Sequence, residues 1–251
     1  MMTQEKLCAC LGDTATVYPC AFERWGVYME GVEKADALIA MLVAEGYNLR
    51  DEREAAENRF LLYRKESETV HVDISRSMNT LRVIVAPNED LFEGAGDEKG
   101  SGTVEMTLMN MDYESQSAKN NGYGFIITLA DGGFLIYDGG WPTETDGLWE
   151  YLRSHTPEGQ KPRVEGWILT HSHGDHYLCF LDYMNRYADK TEIKRILFGL
   201  ARTECFTGGS DRTLYNKVPA LAEERGIELV IPFAGQILNF PGVRLEVLLT
   251  A

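Results

Sequence analysis

Residues 164–187, VEGWILTHSHGDHYLCFLDYMNRY, constrain the fold more than any other part of the chain. VEGWILT is an apolar run of strand length, and YLCFLDYMNRY has apolar residues at helical spacing. Six polar residues join them, so a strand hands over directly to a helix. The same alternation extends on both sides. GFIITLADGGFLIYDGG, residues 124–140, is two apolar runs around Asp131-Gly132-Gly133 and reads as a hairpin. Thr143 is placed to cap a helix running through LWEYLRS. IKRILFGL reads as a strand, and LYNKVPALAEERG as a helix bent or restarted at Pro219. IELVIP, QILN and VRLEVLLTA complete the pattern as strands. Alternating strands and helices with hairpins at either end predict a layered α/β domain around a mixed sheet.

The chain before this domain is built differently. VEKADALIAMLVAEGY carries an apolar stripe at Leu38, Ile39, Leu42 and Val43 that stops at Gly46, which predicts a helix. NRFLLYRKE, ETVHVDIS and NTLRVIVA read as three strands joined by polar turns. EGAGDEKGSGT, where Gly, Ser and charge replace apolar residues, reads as a linker. The expected organisation is a small α+β domain over residues 1–92, a linker over 93–103 and the α/β domain over 104–251.

Composition narrows the partners. The 251 residues carry a net charge of −15, spread over both halves, which disfavours long polyanions and favours a small or neutral substrate without nucleic acid. No segment reaches the roughly 18 apolar residues of a membrane span, and the first 20 residues lack the apolar core of a signal peptide. A cytoplasmic protein without membrane contact, free to form homo-oligomers, is expected. Five cysteines in odd number without C-x-x-C spacing read as reduced thiols.

Three of the five histidines fall within residues 171–176. At a strand end, residues i and i+2 face the same way, so His171 and His173 can direct both imidazoles at one metal ion. Gly174 permits a sharp turn, and Asp175 and His176 beyond it can aim at a second ion. For making a nucleophile at neutral pH a metal outperforms side-chain acid–base chemistry. Bound zinc lowers the pKa of water from about 15.7 to about 7, whereas a general base contributes about 10²- to 10⁴-fold. His71, between Val70 and Val72, reads as a structural strand residue, and His155 as a surface loop residue.

THSHGDH at 170–176, set between an apolar strand and a helix, resembles the H-x-H-x-D-H signature of the metallo-β-lactamase-fold hydrolases. LIYDGG at 135–140 is similar to that family's earlier motif. The resemblance covers about residues 104–251. It implies an αββα layered sandwich, with the N-terminal half of it present. It assigns His171 and His173 to a first metal and Asp175 and His176 to a second, with Asp175 also the catalytic carboxylate. It makes Asp138 the residue that steadies the ligand loop by hydrogen bonds. Histidine rather than glutamate at 173 points to two zinc ions, other divalent metals being possible, and to hydrolysis.

The family completes its site with two further histidines and an aspartate, and no histidine follows His176 in this chain. A C-terminally truncated domain is the expectation, with a naturally short, degenerate domain as the alternative. Glu204, Cys205 and Asp211 are weighed as replacement ligands and read as ordinary loop residues. The functional expectation is a metal-dependent hydrolase using metal-bound hydroxide on an ester, amide, thioester or phosphodiester bond of a small substrate. The alternatives are an inactive binding or regulatory module that keeps the fold and, third, a nucleic-acid-processing member of the family.

Overall fold

A computed structural model describes residues 1–20, 24–55, 57–87, 102–109, 123–199, 208–234 and 236–247. Most of the expected linker, 93–103, lies outside the described residues, as do Glu204 and Cys205.

The first sheet is antiparallel throughout. Its strands are β1 (Thr16–Pro19), β2 (Trp25–Glu30), β3 (Asn48–Ala55), β4 (Asn58–Lys65), β5 (Glu68–Ser75) and β6 (Thr80–Ala86), in the order β1-β2-β6-β5-β4-β3. The tight turns between β3 and β4, β4 and β5, and β5 and β6 place Glu57, Glu66 and Asn79 at positive φ. Period-two alternation turns Val70, Val72 and Ile74 of β5 to one face, with Leu61, Tyr63, Leu81, Val83 and Val85 beside them. Helices α1 (Gln4–Leu11) and α2 (Ala35–Ala44) close that face through Leu7, Leu11, Leu38 and Leu42. Val43, expected in the α2 stripe, is instead exposed, because the buried stripe runs along Ala35, Leu38 and Leu42. The opposite face carries His71, buried, whose ring packs on Phe233 at 3.8 Å.

The second sheet is mixed, as the sequence predicts. Strands β7 (Glu105–Leu108), β8 (Gly124–Thr128) and β9 (Phe134–Asp138) pair antiparallel, and β9 continues in parallel to β10 (Arg163–Leu169), β12 (Arg195–Phe198) and β13 (Glu228–Val230), with short β11 (Glu192–Ile193) also on β10. Helices α3 (Thr145–Ser154), α4 (Gly174–Arg186) and α5 (Gly209–Arg225) cover one face. A bulge between Val164 and Gly166 shifts the alternation of β10, so Val164, Trp167 and Leu169 all turn to the helices. On the other face a hairpin of β14 (Ile237–Phe240) and β15 (Val243–Glu246) packs against Leu129, Leu135 and Leu197. Beside it lies a cavity of about 370 Å³ walled by Phe125, Ile127, Ile168 and Leu245.

Two local expectations are corrected. Thr143 does not cap α3: Pro142 at the start of a 3-10 turn carries the chain to Thr145, and the Thr143 hydroxyl donates to Glu144 instead. Helix α5 begins earlier, at Gly209, and runs through Pro219 without restarting. Among the described residues no helix is long and apolar enough to cross a membrane.

Candidate metal centre

Strand β10 ends at Leu169 and α4 begins at Gly174, so Thr170–His173 form the connection at the carboxyl end of a parallel strand. That is where open α/β sheets place their ligand sites. His173 takes extended backbone angles just before the helix, and Asp175 occupies its first turn, where a carboxylate suits the helix dipole.

All three imidazoles come together. The ring centroids of His171 and His173 are 4.7 Å apart, and those of His171 and His176 are 3.8 Å apart. Asp175 Oδ2 lies 3.8 Å from His176 Nε2. Burial, aided by His176 and then His173, pushes the His171 pKa below its ordinary value, which keeps that ring neutral and a competent ligand.

Asp138 organises the cluster from β9. It is fully buried and held at φ 56°, a left-handed conformation costly for a residue with a Cβ. The strain is offset by contacts converging on it. The indole N–H of buried Trp167 donates to the Asp138 carbonyl at 2.7 Å. The Thr170 backbone N–H donates to Oδ1 at 2.9 Å, and the Thr170 hydroxyl to Oδ2 at 2.8 Å. His176 Nδ1 lies 2.8 Å from Oδ2.

This network sets the ring tautomers. A carboxylate only accepts, so His176 carries its proton on Nδ1. The single Thr170 hydroxyl hydrogen is directed to Asp138, so the His171 Nδ1 found 3.0 Å from that oxygen is the donor. In its neutral form each ring then carries its lone pair on Nε2. One buried carboxylate thus orients two imidazoles, His176 directly and His171 through Thr170.

The donors fit a divalent ion in kind. Two atoms each about 2.1 Å from one zinc can be at most about 4.2 Å apart, which the 3.8 Å between His176 Nε2 and Asp175 satisfies. Among the described residues, however, no group of three or more His, Cys, Asp or Glu side chains is arranged to hold an ion. The described chain thus offers donors in pairs without a three-ligand cradle.

Other candidates resolve simply. Asp211, in the first turn of α5, accepts a hydrogen bond from Ser172, which sits between His171 and His173; it braces the loop. His155 is exposed and stacked on Tyr151. Among the described residues Cys8, Cys10, Cys20 and Cys179 form no disulfide, and Cys179 is buried so deeply that its thiol pKa rises to about 12. Sequence reasoning missed Trp167, Ser172 and Tyr123. The Tyr123 ring stacks on His176 at 5.6 Å, and nothing local to its sequence announces a contact 53 residues away.

A search of curated proteins finds no match to the chain. A family model matches residues 120–200, the span that holds Asp138, strand β10 and the histidine loop. The model is that of the metallo-beta-lactamase superfamily, to which this segment is similar and whose members are mostly metal-dependent hydrolases that typically bind divalent metals, often zinc.

Proposed function

We propose that the protein is a di-zinc hydrolase acting on an ester, amide, thioester or phosphodiester bond of a small substrate. His171 and His173 hold one ion, and Asp175 and His176 the other. When bound, such ions acidify a coordinated water and stabilise developing negative charge. The chain's own residues supply the rest. Asp138 and Thr170 keep the Nδ1 protons of His171 and His176 in place, so neither ring must change tautomer to become a ligand. Asp175, beside His176 and partly open to solvent, is the carboxylate within reach of a proton leaving the nucleophile. The observation that carries this reading is the convergence of three imidazoles on one strand end, two of them with fixed tautomers.

The competing reading, a binding or regulatory module, draws on the absence of a three-donor group among the described residues. Metal analysis and turnover separate the two. The hydrolase requires about two zinc ions per chain and hydrolysis of at least one ester, lactam, thioester or phosphodiester, with the rate lost in His171→Ala. No metal at micromolar zinc, or a rate indifferent to His171→Ala, hands the protein to the module.

A further inference from the structure

We infer that Tyr123 is a positioning residue for His176, fixing the tilt at which that imidazole presents Nε2. The inference rests on the metal-site reading above. Tyr123 immediately precedes β8 and is 51% exposed, which is unlike an aromatic kept for core packing. Its ring lies nearly parallel to that of His176, at 26° and 5.6 Å between centroids. The rings of Phe125 and Tyr137 meet it edge-on, each at 6.4 Å, and so hold it from behind.

The backbone of Tyr123 is tied to both loops that define the position of His176. Its N–H donates to the carbonyl of Asp175, the residue before His176, at 3.0 Å. Its carbonyl accepts from the N–H of Gly139, the residue after Asp138, at 3.1 Å. Tyr123 therefore moves with the histidine and with the carboxylate that orients it.

The two restraints on His176 are complementary. The hydrogen bond from Nδ1 to Asp138 sets the tautomer and anchors one edge of the ring, but the ring can still swing about that bond. A second ring laid against its face removes the swing. Nε2 then points in one direction, which a ligand nitrogen needs if an ion is to bind without first ordering the side chain. The stack requires an aromatic ring and makes no demand on the phenol oxygen, so phenylalanine should serve as well as tyrosine.

The test uses the full chain as the parent and as Tyr123→Phe and Tyr123→Ala. In the metal-free protein, side-chain couplings of His176 measured by NMR should report one rotamer in the parent and in Tyr123→Phe. Tyr123→Ala should give an average over rotamers for His176 while His171 stays unchanged. In titrations with Co²⁺, Tyr123→Ala should bind about tenfold more weakly with an altered visible spectrum, and Tyr123→Phe should match the parent. A single His176 rotamer in Tyr123→Ala, or parental Co²⁺ affinity in that variant, overturns the inference. A general loss of fold would disturb His171 and lower the melting temperature of both variants alike, and that outcome counts against a positioning role. Should the parent take up no Co²⁺, the metal reading fails, while the rotamer measurement still decides the role of Tyr123.

Discussion

At the scale of single residues the site depends on Asp138 being an acceptor at both oxygens. Asp138→Asn conserves size but turns one oxygen into an NH₂ donor. Facing His176, that donor meets a donor; the ring must then move its proton to Nε2, where the metal lone pair is needed. Facing Thr170, it leaves two N–H and O–H groups competing. The expected result is a folded protein, destabilised by about 1–3 kcal/mol, whose zinc affinity falls at least about tenfold. Thermal melts and calorimetric zinc titration check both parts, and undiminished zinc affinity would remove Asp138 from its assigned role. How much of this was legible depends on sequence distance. That His171, His173, Asp175 and His176 would lie close together was legible because strand and helix geometry is local. Asp138 was reached only through a resemblance. The Tyr123 stack on His176 and the Ser172 bond to Asp211 were not legible, since they follow from which strands pair and in what register.

Among the elements, β10 and α4 were readable because a seven-residue apolar run and a thirteen-residue helix are long enough to display their periods. Strands β1, β2, β3 and β7 went unpredicted; β3, NLRDEREA, is almost wholly polar and displays no apolar alternation. The start of α3 was misplaced because Pro142 imposes a 3-10 turn that a capping rule does not anticipate. The hairpin of β8 and β9 was legible from Asp131-Gly132-Gly133, and its chemistry makes a pH prediction. Partial burial pushes the Asp131 carboxyl up. Its hydrogen bond and ion pair with Arg163 at 2.7 Å, and the Gly133 N–H at 3.0 Å, outweigh that and leave its pKa below the usual range. A carboxylate depressed on folding stabilises the fold fully above its unfolded pKa of about 3.9 and loses that contribution as pH falls through the folded value. Asp131→Asn should therefore be less stable than the parent at pH 7, with the difference shrinking below about pH 4. Urea midpoints across that range check it. A gap that is constant with pH would mean that the turn geometry, and not the charge, is what Asp131 provides.

For the molecule as a whole, the question is how the first sheet communicates with the sheet that carries the histidines. Composition and periodicity led to the expectation of two differently built halves but could not say which surfaces meet, because such a contact leaves no period in either half. The structure joins them at the segment between β13 and β14. The Arg24 guanidinium donates to the Ile231 carbonyl at 2.7 Å, and Phe233, buried, packs on His71 of β5. Phe233 is held in turn by Gln236, whose side chain accepts from its N–H at 3.2 Å. Among the described residues the Phe233 ring and the Arg24 guanidinium reach between two large apolar cores, and Phe233 is the buried apolar group of the two, so the coupling between the cores should hinge on it. Removing a buried phenylalanine ring costs about 3–5 kcal/mol when the site cannot collapse. Phe233→Ala takes that ring away from His71 and from the histidine-bearing half at once. The parent should melt in one calorimetric transition. Phe233→Ala should show two, with the first sheet and the histidine-bearing sheet unfolding independently and proteolysis entering between them. Arg24→Ala should shift the parent's transition downward without splitting it, as a single hydrogen bond to a carbonyl is worth about 1–3 kcal/mol when charged. Two transitions already present in the parent would show that Phe233 does not couple the cores, and that each half holds its fold by its own apolar face alone.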